Sequence, residues 1–460
     1  MPSSARLTAI PYHPDSARWF NAIRHLPSPV WLDSGRPKSS YGRYDIMCAD
    51  PATVITTAKG ITRIASKSGP VRESRDNPFS LLQAHLPASC AGSELPFCGG
   101  AVGYFGYDLG RHLEALPNLA AEDIELPDLR VGIYPWAIVQ DHEQQRAWLV
   151  SLPGAADLTE IQSIVGFHDL NQTIKRSNKS FKINKFEADI NAKKHANAVA
   201  KIQAYINAGD CYQVNFAQRF SSRYSGDPFS AYLALREALP SPFSGFMEFD
   251  HQAILSLSPE RFIRVSGGMA ETQPIKGTIA RGATPEADSE NARQLQASLK
   301  DRAENLMIVD LLRNDLSKSC VDVAAPELFS LQSFANVHHL VSTITARLKS
   351  GVSALRVLED CFPGGSITGA PKIRAMEIIE ELEPTRRSVY CGSLGYISAD
   401  GKMDTNIAIR SLVCDSGKLH CWGGGGIVAD SQADTEYEES VTKVKVLMDT
   451  LEKEFLSAND

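Results

Sequence analysis

Residues 245–265 read Gly-Phe-Met-Glu-Phe-Asp-His-Gln-Ala-Ile-Leu-Ser-Leu-Ser-Pro-Glu-Arg-Phe-Ile-Arg-Val. Apolar and aromatic runs at 245–249, 253–257 and 261–265 predict three strands in succession, with no helix between them. The same grouping recurs elsewhere. Short strand-like runs at 54–57, 131–134 and 147–152 populate the first 150 residues, and others follow at 393–397, 407–413 and 419–422. The glycines of 96–108 (PFCGGAVGYFGYD) suggest bends or close backbone packing inside a sheet. Helical periodicity appears between the groups, at about 185–207, 303–313 and 373–382, and again from near Asp434. Strands in consecutive groups with helices between them predict an α+β fold with large mixed or antiparallel sheets, not a doubly wound parallel one.

The chain has 460 residues, more than one typical core needs, so one large or two intimately packed domains are expected. Its net charge is -7, with both signs interspersed. No Lys/Arg block offers a surface for tracking phosphates, which argues against a nucleic-acid partner. No apolar run approaches the ~20 residues that cross a bilayer, and residues 1–20 carry no secretory h-region. None of the nine cysteines has CxxC spacing, so neither a zinc site nor a redox motif is supported, and a reducing, cytoplasmic setting fits best. From about 153 to 185 the chain turns polar and aperiodic, with Asn171, Ser177, Asn178 and Ser180. That stretch reads as a variable connection between an N-terminal region, 1–152, and a second region, 186–456.

Four features look chemically out of place. Lys276 stands between Ile275 and Gly277 after a strand-like run. A lysine there is ordinarily solvated, but Gly277 lets a ligand approach, and a desolvated lysine becomes a usable amine nucleophile. Glu304 shares a helix face with Met307, Ile308, Leu311 and Leu312. A carboxylate so placed needs a metal or a buried partner, with Arg374 and Arg410 as the candidate arginines. Gly423 to Gly426 are four consecutive glycines before the last helix, either an anion-binding nest or a plain surface loop. In that helix Tyr437, Val441, Val444, Met448, Leu451 and Phe455 form an apolar stripe. Periodicity alone leaves Glu436, Glu439 and Lys443 solvated on the other side.

Six strings carry a resemblance: SPERF at 258–262, PIKGT at 274–278, residues 304–315 ending Arg313-Asn314-Asp315, residues 337–342, PGGSITGAPK at 363–372, and GGGIVAD at 424–430. Together, and in this order, they resemble the chorismate-utilising enzymes, among them anthranilate, aminodeoxychorismate, isochorismate and salicylate synthases. The N-terminal region matches more loosely, through 32–35 and 99–108. The resemblance implies a two-layer β-sandwich surrounded by helices, as in anthranilate synthase component I. Lys276 points within the family to the aminodeoxychorismate synthase branch, since anthranilate synthase-like members carry a small residue at this place.

The resemblance implies a mechanism in which the Lys276 amine adds at C2 of chorismate and the C4 hydroxyl leaves. Ammonia then adds at C4 and expels the lysine, with Glu260 as general acid and base. Glu304 and Glu439, with Glu436 nearby, would hold Mg²⁺ against the ring carboxylate. Tyr390 and Arg410 would grip the enolpyruvyl carboxylate, and His339 would sit near the reacting face. Gly277, Thr278, Gly424, Gly425, Gly426 and Lys443 would line the substrate. No glutaminase elbow is visible, so a separate glutamine amidotransferase subunit is implied as the ammonia source. Ser34, Tyr41, Gly42, Arg43, Tyr44, Pro242, Phe243 and Ser244 resemble the family's L-tryptophan pocket. The competing readings are an anthranilate synthase component I, a non-catalytic binding subunit, and a Schiff-base lysine enzyme acting on carbonyls.

Overall fold

The computed structural model describes residues 4–457, except 40, 89, 91, 156–157, 168–180 and 335–336. Its strands form two large sheets. Residues 245–265 behave as their pattern predicts. Strands Phe243–Phe249 and Gln252–Ser258 pair as a hairpin, and Arg261–Ser266 crosses into the second sheet. The ladders are antiparallel. Thus an α+β architecture with antiparallel sheets is what the chain adopts.

Both sheets draw strands from both regions of the chain. In the first, Val30–Asp33 pairs with Phe243–Phe249, joining Ser244 to Asp33 across the seam. In the second, Gly100–Phe105 pairs with Ser393–Ser398. The inner faces meet in one core that includes Ile46, Val139, Ile254 and Trp422 from the first sheet and Ile55, Val131, Ile263 and Leu394 from the second. A second core lies on the outer face of the first sheet. There Trp19, Phe20, Tyr232, Leu447 and Phe455 are buried under the helices Ala17–Ile23, Pro228–Ala238 and Ala433–Phe455.

Three readings of the sequence need correction. The stretch 153–185 is not simply a connection. It holds a helix, Thr159–Phe167, and a strand, Phe181–Ile183, and Phe181 stacks on Tyr224 in the outer core. Residues 168–180, including Asn171 and Ser177, lie outside the described residues. The helix expected from 185 begins only at Ala192, where the Asn191 side chain accepts from the Lys194 N–H and caps it. The four glycines form neither a nest nor a loop. Strand Lys418–Ile427 runs straight through them, paired with Gln213–Gly226. No helix among the described residues is long and apolar enough to cross a membrane.

Candidate active site

Gly423 to Gly426 are best understood from what a side chain there would meet. A Cβ on Gly423 would collide with the carbonyl of Ser440 in the helix Ala433–Phe455, and one on Gly426 with the side chain of Gln213. At Gly425 it would come within 3.1 Å of Glu436 and 3.4 Å of Glu439, and 3.7 Å from the Lys443 ammonium. The missing side chains therefore let the last helix settle onto the strand. That contact turns the helix from its expected stripe: Glu436 and Ser440 are buried beside Val444, Leu451 and Phe455, whereas Tyr437 and Val441 are only partly so. The solvated reading of Glu436 fails for this reason. Glu439 remains half-exposed at the strand's end, where its carboxylate takes an ion pair from Lys443 at 2.6 Å. Lys443 also donates to the carbonyl of Gly424 at 2.8 Å.

Opposite lies the helix Leu299–Ser319, started by the Ser298 side chain accepting from the Asp301 N–H. Ile308 and Leu312 bury its inner face, and Glu304 is carried to the edge of that face with a fifth of its side chain exposed. Among the described residues no arginine forms an ion pair with it. Arg374 is engaged by Asp210 and Glu377, and the ion pair that Glu304 does make is with Lys300, at 4.0 Å. Burial pushes the Glu304 carboxyl above its ordinary range, and the neighbouring Asp301 and Glu436 push it further. Glu436 is likewise raised, by burial and by Glu439, although Ser431 donates to it at 2.7 Å. Burial acts on Glu439 in the same sense, but the Lys443 ammonium outweighs it and holds this carboxyl below the usual range.

Lys276 enters from the strand Ile275–Ala280. It is partly buried, and among the described residues its amine makes no ion pair. Desolvation lowers its pKa, and Lys443 adds to that, while Glu304, Glu260 and Glu439 oppose it. The next residue, Gly277, has φ +84°, and a Cβ there would press against Asp301 and Leu295 at 3.0 to 3.1 Å. Glycine is the residue that adopts such a backbone without strain. Thr278 pairs across the ladder with His339 and shares a 2.8 Å hydrogen bond between its Oγ1 and Nδ1. Burial and the Arg410 charge push His339 down to about 4, so its imidazole is neutral at pH 7.

Glu260 precedes the strand Arg261–Ser266 and is buried. Ser366 donates to its Oε1 at 2.8 Å. Burial raises the Glu260 carboxyl to about 7, against the pull of Ser366, Lys276 and Lys443. Arg410 sits in a left-handed backbone, φ +52°, just before the strand Ser411–Asp415. The run expected at 407–413 is thus broken by a bend at 407–410. Burial lowers the Arg410 pKa, and its guanidinium has no ion pair among the described residues. Tyr390 lies within its electrostatic reach, stacked on Trp422 with ring centroids 5.7 Å apart. A partly buried guanidinium without an ion pair is a ready receptor for a ligand carboxylate.

The oxygens of Glu304, Glu436 and Glu439 are hard donors, and two of these carboxyls are raised partly by acidic neighbours. That donor chemistry fits a divalent cation such as Mg²⁺. Among the described residues no three acidic, His or Cys side chains meet closely enough to hold a metal ion alone, so substrate or water oxygens would have to complete its shell. Ser366 and Ser431 were not anticipated as site residues. Serines in glycine-rich or polar turns carry no pattern of their own.

A profile of chorismate binding enzymes matches residues 27–449. The chain belongs to the chorismate-binding enzyme family. It is 45% identical over 444 residues to aminodeoxychorismate synthase component 1 of Escherichia coli (strain K12), covering 95% of this chain and 96% of that protein. The Salmonella typhimurium protein of the same name is 44% identical, covering 98% and 99%. Among solved structures, anthranilate synthase component I from Streptococcus pneumoniae TIGR4 superposes with a TM-score of 0.79 at 31% identity, covering 89% of this chain and 92% of that one. Apart from these residues, this chorismate-binding enzyme carries a cavity. It measures about 510 Å³ and is lined by all eight residues Ser34, Tyr41, Gly42, Arg43, Tyr44, Pro242, Phe243 and Ser244. Arg261, Gln273 and Phe334 contribute as well and were not foreseen. This cavity backs onto the site without being part of it, since Pro259 and Ile275 line it while their neighbours Glu260 and Lys276 belong to the acid–lysine cluster.

Proposed function

We propose that this chain is the synthase subunit of an aminodeoxychorismate synthase, converting chorismate and ammonia to 4-amino-4-deoxychorismate for para-aminobenzoate and folate. The observation that carries the reading is a desolvated Lys276 amine, unpaired and within electrostatic reach of the buried acid Glu260. Family membership and the relatives' names support it. An anthranilate synthase would need the C2 position free for ammonia, and in this reading Lys276 would occupy that approach.

In this reading the neutral Lys276 nitrogen adds to C2, both ring double bonds shift by one position, and the C4–O bond breaks. Glu260 gives its proton, so the hydroxyl departs as water. Ammonia then adds at C4, both double bonds return, and the C2–N bond breaks, freeing the lysine. The Glu260 carboxylate takes the proton from the new C4 nitrogen, which restores the starting state. A carboxyl with a pKa near 7 serves both directions at neutral pH. Glu304 and Glu439, with Glu436 behind them, would hold Mg²⁺, which when bound neutralises and anchors the ring carboxylate. Arg410 and Tyr390 receive the enolpyruvyl carboxylate. The amides of Gly424, Gly425 and Gly426, together with Gly277, Thr278 and Lys443, line the ligand, and neutral His339 flanks the reacting face.

Ammonia is supplied by a separate glutamine amidotransferase subunit, in the cytoplasm, and the 510 Å³ cavity holds L-tryptophan. The decisive test of the chemistry is intact mass after chorismate and Mg²⁺ are added without ammonia. Wild type should carry chorismate less one water, and Lys276→Ala should carry nothing. Undiminished C4 amination by Lys276→Ala, or anthranilate as the chromatographed product of wild type, would sink the proposal.

A further inference from the structure

The string PGGSITGAPK is built around one hydroxyl, that of Ser366. Ser366 lies in a short 3₁₀ turn, Gly365–Ile367, that is braced on every side. Thr368 donates to the carbonyl of Gly364 at 3.0 Å, and Arg387 donates to that of Ile367 at 2.9 Å. Arg387 is itself fully buried and held by Glu383 at 2.6 Å. A Cβ on Gly364 would strike Ile407, and one on Gly365 would meet Leu311 of the helix Leu299–Ser319 at 2.6 Å. The two glycines thus let the turn wedge between neighbours, and Ser366 has little freedom to move. Its hydroxyl is spent on Glu260, and both residues are buried, 7% and 5% exposed. The acid's own N–H is tied to the Ser258 hydroxyl at 3.2 Å.

We infer that Ser366 is a positioning residue for the acid–base step: it fixes one oxygen of Glu260 so that the other faces the reacting centre, and it favours the ionised form of the carboxyl. This rests on the reading of Glu260 as the acid–base group. A donor to a buried carboxylate stabilises its charged state. The other groups facing Glu260 are the backbone N–H of Ile275 and Lys276 from the strand Ile275–Ala280, Lys443 from the last helix, Arg410 from its bend, and Cys391. All three cations stabilise the same charged state without an ion pair to Glu260 among the described residues, so direction comes from hydrogen bonds, and Ser366 is the side chain that supplies one.

The test is the pH–rate profile of C4 amination with saturating ammonium and Mg²⁺. Glu260→Gln first identifies the limb that Glu260 governs, by removing it. Ser366→Ala should move that limb to higher pH by about one unit, the size expected for one lost charge-assisted hydrogen bond. The KM for chorismate should stay within about twofold, because the Ser366 hydroxyl is engaged by Glu260 and acts through it. Ser366→Thr, which keeps the hydroxyl, should restore the limb. Ser366→Cys, a near-isosteric weak donor, should move it part of the way and guards against an alanine variant that fails to fold. A limb that stays put in both Ala and Cys variants overturns the inference alone. A limb that survives Glu260→Gln overturns the acid–base reading on which it rests.

Discussion

Glu260 is a carboxyl that the fold would sooner keep protonated. Its raised pKa means the folded chain binds the proton more tightly than the unfolded chain does. The stabilising contribution is therefore complete below pH 4.5 and is lost as pH rises through about 7. The difference amounts to about 3 kcal/mol between those limits. Glu260→Gln, which cannot ionise, should melt increasingly above wild type as pH goes from 5 to about 9. At the same time it should lose roughly 10²- to 10⁴-fold in amination rate. Thermal melts of both proteins across that pH range decide it, and a gap that does not widen with pH would contradict the burial argument. Residues such as Lys276 and Glu304 were legible in the sequence because each is the wrong type for its company, an amine between Ile275 and Gly277, a carboxylate among Met307 and Leu311. Glu260 and His339 became legible only through the family strings. Ser366 was not legible at all, since its role lies in a contact 106 positions away.

At the level of the element, the glycine strand is where pattern and packing part. Four glycines have poor strand propensity and read as loop, because propensity counts the entropy a glycine loses and not the neighbour that its bare backbone admits. The last helix misled for a related reason. Periodicity locates an apolar stripe, but it does not say that a strand without side chains will accept Glu436 and Ser440 in its place. These glycines should divide into two kinds. Gly423→Ala puts a methyl against the Ser440 backbone carbonyl, which cannot move without shifting the helix. It should cost about 1–3 kcal/mol or more of stability, read from denaturant midpoints. Gly425→Ala meets only the ends of the Glu436, Glu439 and Lys443 side chains. Its fold should stay within about 1 kcal/mol of wild type while Mg²⁺ and chorismate binding weaken by tenfold or more, measured by calorimetry. Equal losses of stability in the two variants would mean the strand tolerates or rejects any side chain alike, and the division would be wrong.

For the whole molecule, the grouping of strands was enough to foresee antiparallel sheets, because local pattern encodes pairing type. It was not enough to foresee that each sheet would be assembled from both regions, as Asp33 meets Ser244 in one and Tyr104 meets Leu394 in the other. Such long-range pairings leave no trace in periodicity. The 510 Å³ cavity lies on this seam, with Ser34 and Tyr44 from one region and Phe243, Arg261 and Asn406 from the other. Ser34 is fixed there by Asp45, which accepts from its hydroxyl at 2.6 Å and from its N–H at 2.7 Å. A ligand in the cavity touches strands of both sheets and binds only when the seam is closed, so it must stabilise the whole fold by mass action. At 100 times its dissociation constant that amounts to about 2.7 kcal/mol, which corresponds to a rise of a few degrees in melting temperature for a chain this long. L-Tryptophan should give that rise, whereas L-alanine, too small to span the space, should not. Gly42→Val should abolish the response without altering C4 amination, because a side chain at Gly42 runs into Ser34 while Glu260 and Lys276 face away from the cavity. A protein that melts at the same temperature with and without tryptophan, and that releases none on denaturation, would leave the cavity without this occupant.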